Sequence, residues 1–407
     1  MSDEPWVDDA DPVADTEADR GVPKRRGTAK KRHIVARVLG VTVIVLTMVV
    51  GLTVVYAFRH LSGNLQVTDL EGDLDHRPEK VKVEGPKEPI NILVMGSDTR
   101  EGAGNHIDNE AGGGGSDTTI LLHLSADRKH AYGISIPRDS MVDRPACDHG
   151  AIPPASYQQW NSAFAVGGAA CTIQQFEQLT GVRLDHYLTV DFNGFQGMVD
   201  AVGGVEVCIP ETIDDRSHGI YLEAGTREIS GKEALSYVRQ RYAVGDGSDI
   251  GRMKRQQAFI ASMANKVVSA GTLTSPWRLY KFLNAATKSL TVDPGLSNLA
   301  KIAQLGVEFR HINLGNVQFL TIPWQWDPQD PNRVVWAPEA AAVWNKIKND
   351  EPLTQRLTVD AISAAKPPGY TEAPASPSDR PSRAPSPSPS PSSSSEQAAA
   401  AAAGLCA

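Results

Sequence analysis

The chain has 407 residues and a formal net charge of −8, with 41% hydrophobic residues and four cysteines. That length supports a substantial core without covalent help, so a disulfide-built scaffold is excluded, and no CxxC or Cys/His spacing offers a zinc site. Against an acidic total, a local excess of arginine marks a site rather than a compositional bias.

Residues 1–37 are acidic and then basic and poor in apolar residues, which predicts a disordered, basic cytoplasmic tail. Val38 to Phe58 carries no formal charge and is long enough to span a bilayer core of roughly 30 Å. Lys24, Arg25, Arg26, Lys30, Lys31, Arg32 and Arg37 precede it, so the positive-inside rule keeps that end cytoplasmic and puts the rest of the chain outside the cell membrane. A cleavable leader is the competing reading, with Val55-Tyr56-Ala57 as its cleavage triplet; its apolar region would be shorter and nearer the start, so 38–58 reads as an uncleaved single-pass anchor. Beside that span the basic run is an orientation signal. A transcriptional regulator would need a cytoplasmic DNA-binding domain that the short tail cannot form, so no nucleic-acid partner is expected.

Residues 59–88 read as an extracellular stalk and 89–350 as one folded domain. Residues 351–407 are expected to be a disordered Pro/Ser/Ala-rich tail, because such a composition buries no core. Within the domain, Ile90–Met95 is a short apolar run ending at Gly96, Thr118–Leu124 is a second, and His130–Ile136 is a third, stopped by Pro137. If the middle strand is antiparallel to its neighbours, Asp98, Arg100, Asp117 and Arg138 meet at one sheet edge. The Gly112–Gly115 run lacks a following G-K-[ST] and is a lip over that edge rather than a P-loop.

Helices follow. Thr172-x-x-Gln175 has capping-box form, with Gly181 where a C-cap belongs, and Ser230-x-x-Glu233 opens a helix ending near Arg239. Ser248 or Asp249 caps another helix that closes at Gly271. Asp249, Arg252 and Gln256 fall on one stripe, with Arg255 at its margin. Strands interleaved with helices predict an α/β domain with a mixed central sheet flanked by helices.

The stretch R-Q-R-Y-A-V-G-D-G-S-D-I-G-R-M-K-R-Q-Q gathers Arg239, Arg241, Arg252, Lys254 and Arg255 beside only Asp246 and Asp249. Guanidinium forks match phosphate oxygens, so the cluster points to a phosphorylated substrate at a membrane surface; the alternative is a solvated, salt-bridged helix face. His123, His130 and His186 are scattered and read as structural, and no Ser-His-Asp or G-x-S-x-G arrangement suggests an esterase. Cys147 and Cys171 are the preferred disulfide, Cys208 reads as a buried thiol and Cys406 as part of the unstructured end, although sequence alone leaves three connectivities open.

The blocks N-I-L-V-M-G-S-D-T-R, S-D-T-T-I-L-L-H-L, S-I-P-R-D-S, N-S-A-F, L-T-G-V-R-L-D-H-Y-L-T-V-D-F, D-A-V-G-G-V-E-V, L-S-Y-V-R-Q-R and D-I-G-R-M-K-R-Q-Q occur in that order over about 89–270. Together they resemble the LytR-CpsA-Psr family of cell-wall phosphotransferases. The resemblance implies transfer of a glycopolymer from a polyprenyl-pyrophosphate carrier to peptidoglycan, within a sheet and helices that enclose an apolar channel for the lipid. It places Asp98 and Asp117 where the family's magnesium-associated aspartates stand, and Arg138, Arg239, Arg241 and Arg252 where its pyrophosphate-binding arginines stand. Asp249 and Gln256 complete the motif. The position before Ser116-Asp117, often basic in relatives, is Gly115; one phosphate donor is then missing or supplied by Arg100. Phe192, Phe195, Met198, Val199, Phe259, Ile260 and Met263 would line the lipid channel, and Asp249 and Asp98 are candidates for the base. Two other functions share these features: a non-catalytic anchor that binds polyprenyl phosphates, and a pyrophosphatase acting on the carrier lipid.

Overall fold

The structure, a computed structural model, describes residues 29–85, 87–97, 115–216, 219–241, 244–269, 271–272, 275–369 and 394–406. Asp98, Arg100 and most of the expected glycine lip lie outside the described residues. Two compact units divide the chain, Met1–Tyr56 and Ala57–Ala407.

The first unit holds most of helix α1 (Ala29–Asn64), so the helix starts within the segment expected to be a tail. Ile34–Asn64 is long and apolar enough to cross a membrane by length and composition. Thr42, Thr47 and Thr53 each donate a hydroxyl hydrogen bond to the carbonyl four residues earlier at 2.8 Å, which removes the polar cost of placing them in an apolar span.

In the second unit, β1 (Gln66–Val67) precedes β2 (Ile90–Ser97), β3 (Ser116–Leu124) and β4 (Ala131–Ile136). A hairpin of β5 (Met141–Arg144) and β6 (Ala155–Gln159) leads to α2 (Ser162–Thr180), β7 (His186–Val190) and α3 (Phe192–Val202). Next come β8 (Val205–Ile209), β9 (Ile213–Asp215), β10 (Ile220–Leu222) and β11 (Gly225–Ile229), pairing as β8 with β11 and β9 with β10. Helices α4 (Gly231–Arg239), α5 (Asp249–Ser269) and α6 (Pro276–Thr287) are followed by β12 (Leu290–Val292), α7 (Leu299–Arg310) and β13 (Val317–Thr321). A second hairpin, β14 (Trp324–Trp326) with β15 (Val334–Trp336), then α8 (Glu339–Lys348), β16 (Ile362–Ser363) and α9 (Ser394–Ala402) complete the described elements.

The central sheet has the order β1-β12-β7-β2-β3-β4-β13-β16. Strand β3 runs antiparallel to both β2 and β4, whereas β2 with β7 and β4 with β13 are parallel, so the sheet is mixed as the hairpin pattern predicts. All six residues of β4 are buried, as expected of a strand covered on both faces. On one face Leu93, Met95, Leu121 and Ile134 pack with Ile173 and Phe176 of α2 and with Val343, Trp344 and Ile347 of α8. On the other, Phe319 and Val317 of β13 pack with Ala261 of α5. A Cβ at Gly133 would stand 2.4 Å from the Phe319 ring, so only glycine lets β4 and β13 pair with that ring between them.

Several boundaries differ from the expectations. Residues expected to form a stalk pack onto the domain: β1 joins the sheet edge, Arg77 pairs with Glu177, and Lys80 pairs with Asp185. Helix α2 begins ten residues before the predicted cap, at Ser162, and Thr172 lies inside it, donating to the Gly168 carbonyl at 3.1 Å. The capping signal reflects a kink there, where Gly168 takes a left-handed φ of 61°. The expected C-cap Gly181 (φ 66°) and the Ser230–Glu233 capping box both form. The domain also extends past 350. Strand β16 adds to the sheet and Ala364 is fully buried. Beyond residues 370–393, which lie outside the described residues, Ala403 and Leu405 pack against Ala258 of α5. Cys147 and Cys171 are bonded as expected. Cys208 is not a thiol but is bonded to Cys406, because the apolar end of the chain has something to bury even though the Pro/Ser stretch before it does not.

Candidate functional site

A cavity of about 570 Å3 lies between the sheet and helices α3, α4 and α5. Its floor is Val94, Gly96, Thr118 and Ile120, and its walls include Phe195, Met198, Leu235, Phe259, Ile260 and Met263. Asp117, Arg138, Arg239, Arg241, Arg252 and Gln256 also face it. The sheet brings two of these together as the strand argument requires. Asp117 enters β3 where Arg138 leaves β4, and Arg138 NH1 donates to Asp117 Oδ1 at 2.5 Å.

Helix α4 ends at Arg239, with Arg241 just beyond it, and α5 delivers Arg252 and Gln256. Ser248 caps α5, its hydroxyl accepting from the Gly251 amide at 3.0 Å, and the positive end of the helix dipole faces the arginines. Arg252, Gln256, Phe259, Ile260 and Met263 then occupy successive turns of one face, all lining the cavity. At 1.5 Å rise per residue that face runs about 16 Å from a cation to purely apolar side chains. The cavity therefore suits an amphiphile: a charged head against the guanidiniums and an apolar tail along α5.

Asp249 holds the cationic end together. Its Oδ1 lies 2.6 Å from Arg252 NH2, 3.4 Å from Arg138 Nε and 4.0 Å from Arg241 NH2. Yet neither Asp249 oxygen has a hydrogen bond of good geometry, and neither does the buried Nε of Arg138 or Arg252. Buried polar atoms of this kind are commonly satisfied by a ligand. Burial acts to raise the Asp117 carboxyl, but Arg252, Arg138 and Arg241 outweigh it and hold the group below the usual carboxylate range. Burial lowers the Arg252 guanidinium despite Asp249. For Arg138 burial acts downward too, but Asp249 and Asp117 prevail and raise it.

The structure also corrects the residue set. Arg255 is 1% exposed and does not line the cavity; its guanidinium donates to the carbonyls of Gln240 and, at 2.9 Å, Ala403, so it braces the loop that carries Arg241. Val199 is core, and the Phe192 side chain lies outside the described residues, whereas Phe195, Met198, Phe259, Ile260 and Met263 line the cavity as expected. The three histidines lie away from it, His123 buried between Asn91 and Asp350. Sequence reasoning missed Asp139, which accepts from Gln159 at 2.7 Å and Arg333 at 2.8 Å and lies 3.5 Å from Arg138. Its place directly after Arg138 was the available signal. Lys232, Asp191 and Asp215 also face the cavity. Among the described residues no group of three or more His, Cys, Asp or Glu is placed to hold a metal by itself. A hard dication that takes one or two carboxylates and completes its shell with phosphate oxygens suits Asp117, whose carboxylate is one-third exposed.

Comparison with known proteins identifies the family. A sequence model of the LytR_cpsA_psr family matches residues 58–349. The cell wall biosynthesis protein LcpA of Corynebacterium glutamicum is 33% identical over 261 residues, 57% of this chain and 49% of that protein. The chain spans about half the length of the Corynebacterium relatives it matches. The polyisoprenyl-teichoic acid–peptidoglycan teichoic acid transferase TagU of Enterococcus faecalis is 27% identical over 282 residues, 68% of this chain and 84% of that protein. Among solved structures, Bacillus subtilis TagV matches with a TM-score of 0.50 at 25% identity, over 66% of this chain and all of that one (100%).

Proposed function

The chain belongs to the LytR_cpsA_psr family, and from that premise we propose that it is a membrane-anchored phosphotransferase acting outside the cell. It moves a glycopolymer from a polyprenyl-pyrophosphate carrier to peptidoglycan and releases polyprenyl phosphate. The observation that carries this reading is the polarity gradient along α5, from Arg252 to Met263, which matches a diphosphate joined to a long hydrocarbon tail. The names of the Corynebacterium and Enterococcus relatives, a cell wall biosynthesis protein and a teichoic acid transferase, support the reaction class.

In the proposed reaction an acceptor hydroxyl attacks the phosphorus nearest the glycan. The anhydride P–O bond to the second phosphate breaks, and polyprenyl phosphate departs with that bond's electron pair. The glycan is left joined to the acceptor through a phosphodiester, and the hydroxyl proton goes to a base. Phosphoryl transfer of this kind needs positioning and charge neutralisation more than covalent help. Arg138, Arg241 and Arg252 are already gathered by Asp249 and Asp117, so they grip the diphosphate without being reorganised. Asp249 is the base candidate among the described residues, its Oδ1 facing Arg138, Arg241 and Arg252. Asp117, with Asp98, is the proposed ligand set for magnesium. When bound, the ion supplies further charge neutralisation at the phosphates.

The test uses the full chain in nanodiscs with a polyprenyl-pyrophosphate glycan, a peptidoglycan fragment and magnesium. Release of polyprenyl phosphate with a glycan phosphodiester product is expected, and Arg138→Ala or Arg241→Ala should each lower turnover about 100-fold or more. Wild-type rates in both variants would remove the site assignment. Binding without product would favour the anchor, and transfer to water alone the pyrophosphatase.

A further inference from the structure

The two hairpins beside Arg138 form a rim that the reaction above does not use. Ser140 bridges to Val334, and the Val334 amide donates to the Asp139 carbonyl at 3.4 Å, so β15 is seated against the segment that follows Arg138. Asp139 joins Arg138 to Arg333 and Gln159 within the distances already given. Anything held on this rim is thus continuous with the cationic end of the cavity.

The rim presents aromatic rings to solvent. Trp326 is 56% exposed and Tyr157 39%, and Trp324 meets Trp326 edge-on at 5.2 Å. Tyr157 is held in place. Its φ is 55°, an unfavourable left-handed conformation for an aromatic residue. Its amide donates to Asp143 Oδ1 at 2.9 Å, and its hydroxyl donates to Asp327 Oδ2 at 2.5 Å. Asp327 is itself buried (4% exposed), and its other oxygen accepts from the Gln329 amide at 2.9 Å. A strained, cross-braced and exposed ring is a pre-organised one.

Flat aromatic faces stack on the apolar C–H faces of pyranose rings, and flanking amides, carboxylates and guanidiniums hydrogen-bond the hydroxyls. Gln325, Asp330 and Arg333 provide such groups here. The charge also selects. Asp139, Asp143, Asp327 and Asp330 outnumber Arg144 and Arg333, so the rim disfavours a polyanionic glycopolymer and suits a neutral sugar chain. We propose that the rim formed by Tyr157, Trp324 and Trp326 docks the acceptor, a neutral strand of N-acetylated pyranoses, and aims its hydroxyl at the phosphate held by Arg138. This rests on the phosphotransferase reading.

The test uses the full chain in nanodiscs, with the N-acetylglucosamine tetrasaccharide as the probe. Calorimetry should show that Trp326→Ala weakens binding at least fivefold, while Trp277→Ala, which removes an even more exposed ring elsewhere, changes nothing. In turnover, Trp326→Ala should raise the half-saturating acceptor concentration by a similar factor and leave acceptor-free cleavage of the carrier by water unchanged. Equal tetrasaccharide affinity in wild type and Trp326→Ala would overturn the proposal, as would no binding to wild type or a preference of the rim for a polyanionic glycan. If wild type cleaves no carrier yet binds the sugar through Trp326, the phosphotransferase reading fails and the docking surface stands.

Discussion

Replacing Asp249 with Asn tests the electrostatic logic of the site directly. The substitution keeps size and shape but removes the one carboxylate placed 2.6, 3.4 and 4.0 Å from three guanidiniums. With an effective dielectric constant of about 20, each pair is worth roughly 4–6 kcal/mol before desolvation. Most of that is cancelled by the cost of burying the four charges, and breaking a buried pair costs about 3–5 kcal/mol net. Asp117, one-third exposed, is then the remaining counter-charge close to Arg138 and Arg252. For a unit spanning Ala57–Ala407, at about 2.1 cal/mol/K of unfolding entropy per residue, the loss corresponds to a fall in Tm of about 4–7 °C. Inorganic pyrophosphate brings back negative charge and binds only the folded form, so it should raise Tm more in Asp249→Asn than in the wild type. Scanning fluorimetry of the full chain, metal-free and with or without pyrophosphate, measures both effects. A variant within about 2 °C of wild type, or one that pyrophosphate stabilises less, would refute the view of Asp249 as counter-charge to a phosphate-binding cluster.

Other outcomes follow from the same structure. Arg77→Ala strands Glu177, 1% exposed, without its partner at 2.6 Å, and should cost about 3–5 kcal/mol in urea unfolding, whereas the double change to Met at both positions should recover most of it. Cys171→Ser opens the Cys147–Cys171 link and should cost about 3–4 kcal/mol, with the pairing itself checked by a non-reducing mass map. For Glu308, burial acts to raise the carboxyl, but hydrogen bonds from Arg128, Lys87 and Gln304 bring it down to about 2. A depressed acid stabilises above its unfolded value of 4.5 and loses that contribution as pH falls to about 2, so Glu308→Gln should flatten the acid limb of a Tm–pH profile in that window.

Much of the site was legible because it is local. The apolar runs ending at Gly96 and Ile136 and the antiparallel strand between them place Asp117 beside Arg138, and helical periodicity puts Asp249, Arg252 and Gln256 on one stripe. Periodicity also placed Arg255 at the margin of that stripe, which was too close to decide. Which flank of α5 faces the cavity depends on where α3 and α4 pack, and they turn Arg255 toward the Gln240 and Ala403 carbonyls instead. The aromatic rim was illegible for a related reason: Tyr157 and Asp327 are 170 residues apart and meet only through the packing of two hairpins.

By itself the sequence determined the apolar helix, the strand order around Asp117 and Arg138, the helix starts at Ser230 and Ser248 and the cationic character of the site. Each rests on interactions between residues near in the chain, where spacing and side-chain chemistry suffice. Tertiary structure alone decided that the expected stalk and the apolar segment around Leu405 pack onto the domain, that Cys208 bonds to Cys406, and that Asp139 ties Arg138 to a distant hairpin. Those contacts join segments far apart in sequence. Their loop-closure cost is repaid by burial against surfaces that exist only once the sheet has formed.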